Sequence, residues 1–174
     1  MNEHSLTVGE IIRFANHDFL NQLQLISMHL QLGNVEAVYE QIEKIQQQSK
    51  QTSQLSKLQL PKTVEWLLTA HWRFPALQLN IVNKSSGEEV AAQVDQLLAS
   101  YLEHTIIHVY KSLDPFEEHT CTITLCSVPT FQVTCELQGK WQMPEALQYA
   151  NSEYMSINVI EHNETAIKVI FNKE

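Results

Sequence analysis

The chain has 174 residues, is 44% hydrophobic and carries a formal net charge of −9 at pH 7. This length is enough for one or two small domains with a real core, and the acidity disfavours nucleic acid as a partner. No apolar run approaches the ~18 residues of a membrane span, and the N-terminus lacks the pattern of a secretory signal. We therefore expect a cytoplasmic protein.

The first segment predicts two helices joined by a short turn. Apolar residues recur three or four positions apart over residues 6–32, and this spacing continues over residues 35–58. The first apolar stripe consists of Val8, Ile12, Ala15, Phe19, Leu23, Ile26 and Leu30. Gly33 and Asn34 tolerate the left-handed conformation that ends many helices, which predicts a turn between the two.

A helical hairpin of this kind cannot bury both of its apolar stripes alone. A second copy would cover them by completing a four-helix bundle across a two-fold axis. The alternative is that the hairpin packs on the C-terminal half of its own chain. We expect the dimer, because the stripes are long.

The remainder predicts an α+β sandwich with helices on one face of a mostly antiparallel sheet. Helical patterns cover residues 63–74 and 88–113, and alternating β-branched runs predict strands at 77–82, 120–128, 131–137, 156–161 and 166–171. Turns are expected at residues 128–129 and 162–164. The predicted domain boundary separates residues 1–60 from residues 61–174.

One histidine in the first helix has an unusual setting. At roughly 100° per residue, His17 lies about 160° from the middle of the apolar stripe, so its imidazole should face solvent. Arg13, Asn21 and Gln24 lie on the same outer face. Most such histidines are ordinary surface residues, and an accessible nucleophile is the alternative interpretation.

The string from His17 to Gln24, His-Asp-Phe-Leu-Asn-Gln-Leu-Gln, resembles the phosphoacceptor box of the sporulation initiation phosphotransferase B family. The resemblance implies that His17 is phosphorylated, with Asp18 and Asn21 as its catalytic neighbours. We also expect partner or phosphate contacts from Arg13, Leu20 and Gln24, since Arg13 lies four residues from His17 on the helix. The basic residue that often precedes the family's histidine is replaced here by Asn16, and Arg13 is the candidate to supply that charge.

The hairpin followed by a sandwich resembles the layout of a sensor histidine kinase. An ATP site of that type needs an Asn on the long helix to hold magnesium and glycine-rich loops that approach the phosphates. The chain has only four glycines, and residues 88–113 contain no Asn. We therefore expect a degenerate histidine-kinase-like ATPase sandwich without an ATP site.

Other residues of the second half offer weaker candidates. His104 and His108 lie one helical turn apart, a spacing that can hold a metal, but no third ligand is evident and we expect no metal site. Trp66 and Trp72 are expected to serve packing. Cys121, Cys126 and Cys135 are expected to be reduced thiols without a zinc spacing.

The predicted function is a phosphotransferase that relays a phosphoryl group between two response regulators through His17. The resemblance implies the sporulation phosphorelay of a spore-forming bacterium and a homodimer. No tightly bound cofactor is expected, and Mg²⁺ should be held by the partner regulator during transfer. Two alternatives remain open: a degenerate or truncated sensor kinase phosphorylated in trans, and a non-enzymatic dimeric scaffold that binds response regulators.

Overall fold

The computed structural model describes residues 6–85, 90–142, 146–150 and 152–174. The chain divides into two compact units, of which the first ends at Leu55 and the second begins at Ser56. The α+β class predicted from the sequence is confirmed, because two long helices come first and a mixed five-stranded sheet with two further helices follows.

The first unit is a helical hairpin of α1 (Val8–Gln31) and α2 (Val35–Leu55). Helix α1 begins after a capping box, in which the Thr7 hydroxyl accepts from the Glu10 amide and the Glu10 carboxylate accepts from the Thr7 amide. The Thr7 amide and the Thr7 hydroxyl both donate to the Glu10 carboxylate, and these two bonds lower the pKa of Glu10. The helix therefore begins later than the predicted residue 6, and the Thr-x-x-Glu pattern could have located this start.

The turn between the two helices confirms the prediction at Gly33 and Asn34. Gly33 has a φ of 69°, and its amide donates to the Leu30 carbonyl while the Asn34 amide donates to the His29 carbonyl. This pair of bonds is a Schellman motif, which satisfies carbonyls that the helix end leaves free. The Asn34 side chain then accepts from the Ala37 amide and caps α2.

A single copy of the hairpin leaves the predicted apolar stripe uncovered. Helix α1 has no fully buried residue, and Val8, Phe19 and Leu30 are all more than half exposed. The half-buried positions of α1 instead recur on a neighbouring face at Ile11, Phe14, Asp18, Gln22, Ile26 and His29. Gln22 on this face bonds to Gln48 of α2, so the apolar stripe and the α2-facing side are largely different surfaces.

The second unit contains α3 (Pro61–Arg73), β1 (Gln78–Lys84), α4 (Ala92–Tyr110), β2 (Thr120–Cys126), β3 (Gln132–Gln138), β4 (Met155–His162) and β5 (Ala166–Lys173). The strand order is β1-β2-β3-β5-β4, with β1 and β2 parallel and every other pair antiparallel. The predicted strands are all present, and the sheet is mostly antiparallel as expected.

Several other predicted helix boundaries differ from the structure. Helix α2 ends at Leu55 instead of 58, because a turn follows before Pro61 opens α3. The predicted start of the long helix at residue 88 lies outside the described residues, while α4 begins at Ala92 and ends at Tyr110, not at residue 113. Ser112 and its neighbours bond to the last carbonyls of α4 in a non-helical turn.

The core of the second unit lies between one face of the sheet and α4. Alternate residues of β2, β3 and β5 are almost completely buried, among them Ile123, Cys135 and Val169. The ring of Tyr101 on α4 stacks on Phe171 of β5 at a centroid distance of 5.9 Å. This contact places α4 against the buried face and leaves the other face half-buried.

Candidate functional site

His17 lies in the middle of α1, on the side predicted to face solvent. Its side chain is 69% exposed, which confirms the orientation derived from the helical period. Two side chains reach its ring: the Asp18 carboxylate lies 3.3 Å from Nδ1, and the Asn21 amide nitrogen lies 3.3 Å from the same atom. The structure therefore groups the three residues that the sequence singled out as catalytic.

The two neighbours of the imidazole require opposite protonation of Nδ1. A neutral imidazole has one N–H donor and one acceptor nitrogen. With a proton on Nδ1, His17 donates to Asp18, and its Nε2 lies 3.5 Å from the Asn21 amide nitrogen. With the proton on Nε2, Nδ1 accepts from Asn21. The geometry thus offers two tautomers: Asp18 stabilises the one with the proton on Nδ1, and the Asn21 amide can donate to the unprotonated nitrogen of either.

The contact between the Asp18 carboxylate and the His17 ring is not expected from the sequence spacing alone. Adjacent positions on a helix point about 100° apart and usually do not share a face. Here the carboxylate still reaches the ring, because Asp18 lies between the exposed face and the side turned toward α2 and remains 46% exposed. Asp18 can therefore contact the imidazole without being desolvated.

The three residues predicted to contact the partner or the phosphate differ in the position of their side chains. Arg13 places its guanidinium carbon 5.2 Å from the centroid of the Phe14 ring, a cation–π contact, so it does not point at His17. Leu20 is 56% exposed, and Gln24 is also exposed on the same side of α1. The contact between Arg13 and Phe14 had no signal in the sequence, because neighbouring helix positions diverge.

The second unit offers no comparable cluster within its described residues. The rings of His104 and His108 are 6.3 Å apart, and His162 lies 5.8 Å from His108. Across the described parts of the chain, no group of three His, Cys, Asp or Glu side chains could hold a metal ion. Trp66 is buried and its indole nitrogen donates to Glu103, which fits the expected packing role.

Gly139, the residue after β3, allows a histidine ring to pack closely against the backbone. A Cβ at Gly139 would lie 2.3 Å from a ring carbon of His119, and the His119 Nε2 contacts the Lys140 carbonyl at 2.8 Å. Gly139 is therefore required by the close approach of a histidine ring. Gly87, the other glycine of this half, lies outside the described residues.

All three cysteines are free, with the Sγ atoms of Cys121 and Cys135 4.0 Å apart in the core. The contact with Cys121 and burial raise the pKa of Cys135. Among the described helices, none is both long enough and apolar enough to cross a membrane.

Sequence comparison connects the hairpin with a known domain family. Residues 1–58 match the alpha-helical domain of the SpoOB-type sensor kinases. Sporulation initiation phosphotransferase B of Bacillus subtilis (strain 168) is 28% identical over 116 residues, which cover 66% of this chain and 59% of that protein. The chain is therefore similar to sporulation initiation phosphotransferase B and spans only 59% of that protein's length.

Structural comparison finds histidine kinases among solved proteins. The Acinetobacter baumannii histidine kinase AdeS is 11% identical with a TM-score of 0.45, covering 91% of this chain and 97% of that one. The histidine kinase domain of the Erythrobacter litoralis EL346 blue-light activated kinase is 9% identical with a TM-score of 0.44, covering 88% and 95%.

Proposed function

We propose that this chain is a phosphotransferase that relays a phosphoryl group between response regulators through a phosphohistidine at His17. The observation that supports this most is the contact of an exposed imidazole with both Asp18 and Asn21. The match of residues 1–58 to the SpoOB-type domain supports the same function, as does the similarity to a sporulation phosphotransferase.

The chemistry needs only an unprotonated ring nitrogen and a phosphoryl donor. In the tautomer that donates from Nδ1 to Asp18, the Nε2 lone pair attacks the phosphorus of an aspartyl phosphate. The N–P bond forms as the P–O bond to the aspartate breaks, and the regulator's carboxylate leaves as an anion. The Nδ1 proton stays on the ring, where the Asp18 carboxylate stabilises the positive charge of the phosphorylated imidazole.

The reverse step passes the phosphoryl group to the aspartate of a second regulator. We expect the Mg²⁺ held by the regulator to stabilise most of the charge on the transferring group. Arg13 can leave the Phe14 ring and approach the phosphoryl oxygens from one turn away, since both side chains are on the surface. Leu20 and Gln24 would form part of the surface on which the regulator docks.

The proposed active form is a dimer. The apolar stripe that includes Ile12, Phe19 and Leu23 is exposed in one copy, and exposed apolar patches of this extent commonly mark interfaces. Pairing two hairpins would bury these stripes in a four-helix bundle and leave each His17 outside, about 160° away around α1.

A transfer assay without ATP tests the proposal. A response regulator labelled with ³²P on its aspartate is mixed with the protein and Mg²⁺, and label is followed on both chains. We expect label that is stable in alkali and labile in acid, as phosphohistidine is, followed by its passage to an unlabelled regulator. His104→Ala, which removes an exposed histidine from the second unit, should behave as wild type.

Each alternative gives a different outcome. A sensor kinase phosphorylated in trans would accept label only from a separate kinase with ATP and not from the regulator. A scaffold would bind the regulator without becoming labelled. Either result would contradict the relay proposal.

A further inference from the structure

A pocket of about 650 Å³ lies beside β4 in the second unit. This volume is in the range of small-molecule binding sites. Its described lining comes from the loop before β4, from β4 itself and from the last residue: Leu147, Tyr149, Ala150, Ser152, Glu153, Met155, Ser156, Ile157, Val159 and Glu174.

The pocket lies over an edge strand, beyond the side chains that cover the neighbouring strand β5. Strand β4 is at the end of the sheet, where Ile157 pairs with Phe171 and Val159 with Val169. The two β5 residues are completely buried, whereas Val159 is 41% exposed. The apolar face of the sheet therefore continues into β4 beyond the side chains that cover β5.

The wall formed by the loop is anchored to α4. The Tyr101 hydroxyl donates to the Ala150 carbonyl at 2.9 Å, and the hydroxyls of Thr105 and Tyr149 are 2.7 Å apart. Burial raises the pKa of the Tyr149 phenol. These contacts to buried helix residues hold Tyr149 and Ala150 of the pocket wall against α4.

The lining combines an apolar floor with negative charge. Met155, Ile157 and Leu147 are apolar lining residues, and Glu153 and Glu174, both exposed, are the acidic ones. The described lining includes no lysine, arginine or histidine, so phosphate groups would meet only like charge there. The net charge of −9 adds to this potential.

From this lining we infer that the pocket binds an amphipathic organic cation, with an ammonium or guanidinium head and an apolar body. The head would lie near Glu153 and Glu174, and the body would cover Ile157 and Val159. This site is built from residues of the second unit and does not depend on the relay function.

Three matched probes test the inference: 4-phenylbutylammonium, 4-phenylbutanol and 4-phenylbutyrate. They share one apolar body and differ in charge. Titration at low salt, followed by amide chemical shifts, should give binding in the order ammonium, alcohol, carboxylate, with about fivefold between the first two because exposed charges interact weakly. Equal affinities, or shifts that fall outside the pocket residues, would overturn the inference.

Two variants separate the charge from the cavity. Glu153→Gln should remove most of the advantage of the ammonium over the alcohol, while Glu164→Gln, the same charge change in the exposed turn after β4, should not. Val159→Trp should fill the pocket and abolish binding of all three probes, since this side chain is partly exposed and the larger ring needs no core space. Unchanged binding in either pocket variant would refute the site.

Discussion

The Asp18 carboxylate and the His17 imidazole lie 3.3 Å apart at Nδ1, although the two residues are neighbours on one helix. Asn21, one turn later, reaches the same nitrogen at the same distance. Asp18 favours the tautomer with the proton on Nδ1, whereas the Asn21 amide, 3.5 Å from Nε2, can donate to whichever ring nitrogen is unprotonated.

Replacement of His17 by Ala should abolish acceptance of phosphate. The side chain is exposed and lies away from the apolar stripe, so its removal should leave the fold and the oligomeric state unchanged. Labelling by a ³²P-regulator measures the first effect, and light scattering with circular dichroism measures the second. Phosphoryl transfer by a folded His17→Ala protein would contradict the proposed mechanism.

Removal of Asp18 should shift the His17 tautomer more than removal of Asn21. Asp18→Ala should lower the fraction with the proton on Nδ1 and slow transfer by about tenfold or more, since oriented acid–base partners contribute at least that much. Asn21→Ala should change this fraction less, because the Asn21 amide nitrogen lies 3.3 Å from Nδ1 and 3.5 Å from Nε2 and can donate to either. Nitrogen-15 shifts of the imidazole report the tautomer directly, and identical spectra for both variants would contradict the assigned roles.

Phe19→Asp should break the proposed dimer. Phe19 is 57% exposed in one copy, so the charge costs little in the hairpin itself but several kcal/mol in a packed bundle core. Leu20→Asp is the matched control, because Leu20 is equally exposed but lies about 100° further around α1. Sedimentation should show a monomer for the first variant and a dimer for the second.

Ile42→Asp should also disrupt the dimer, but through a less direct route. Ile42 is half-buried within a single hairpin, so the charge should weaken the hairpin as well as the contact between copies. Circular dichroism should show reduced helix content for this variant only. A dimer that persists in both Phe19→Asp and Ile42→Asp would refute the bundle.

ATP should not bind to the purified chain. Helix α4 has no Asn to hold magnesium. Gly139 packs against the His119 ring, so it is not available to a phosphate-binding loop. Calorimetry with ATP and Mg²⁺ should show no saturable heat at millimolar nucleotide. Micromolar binding, or ATP-dependent labelling of His17 by the protein alone, would identify a divergent kinase.

Asp95→Ala should destabilise the second unit by about 1–3 kcal/mol, the usual cost of a lost cap and of donors left unsatisfied. The buried Asp95 side chain on α4 accepts from the amides of Lys62 and Thr63, both at 2.8 Å, and so caps α3 from another helix. The urea midpoint measures the loss. Glu65→Gln, on the exposed side of α3, should leave the midpoint unchanged.

The sequence by itself determined the features that depend on a few neighbouring residues. The helical period placed His17 on the solvent side, and Gly33 with Asn34 located the turn, because helix geometry and helix termination act within one or two turns. The Thr7 and Glu10 pair could have located the first residue of α1 for the same reason. The resemblance around His17 singled out the two side chains, those of Asp18 and Asn21, that contact the imidazole.

Only the tertiary structure decided the features that join distant residues. The cap of α3 by Asp95 spans more than thirty positions, and the parallel pairing of β1 with β2 connects strands separated by α4. The pocket beside β4 likewise depends on how far the core layer extends over the sheet. Such contacts follow from side-chain packing in three dimensions, and no periodicity along the chain encodes which distant surfaces meet.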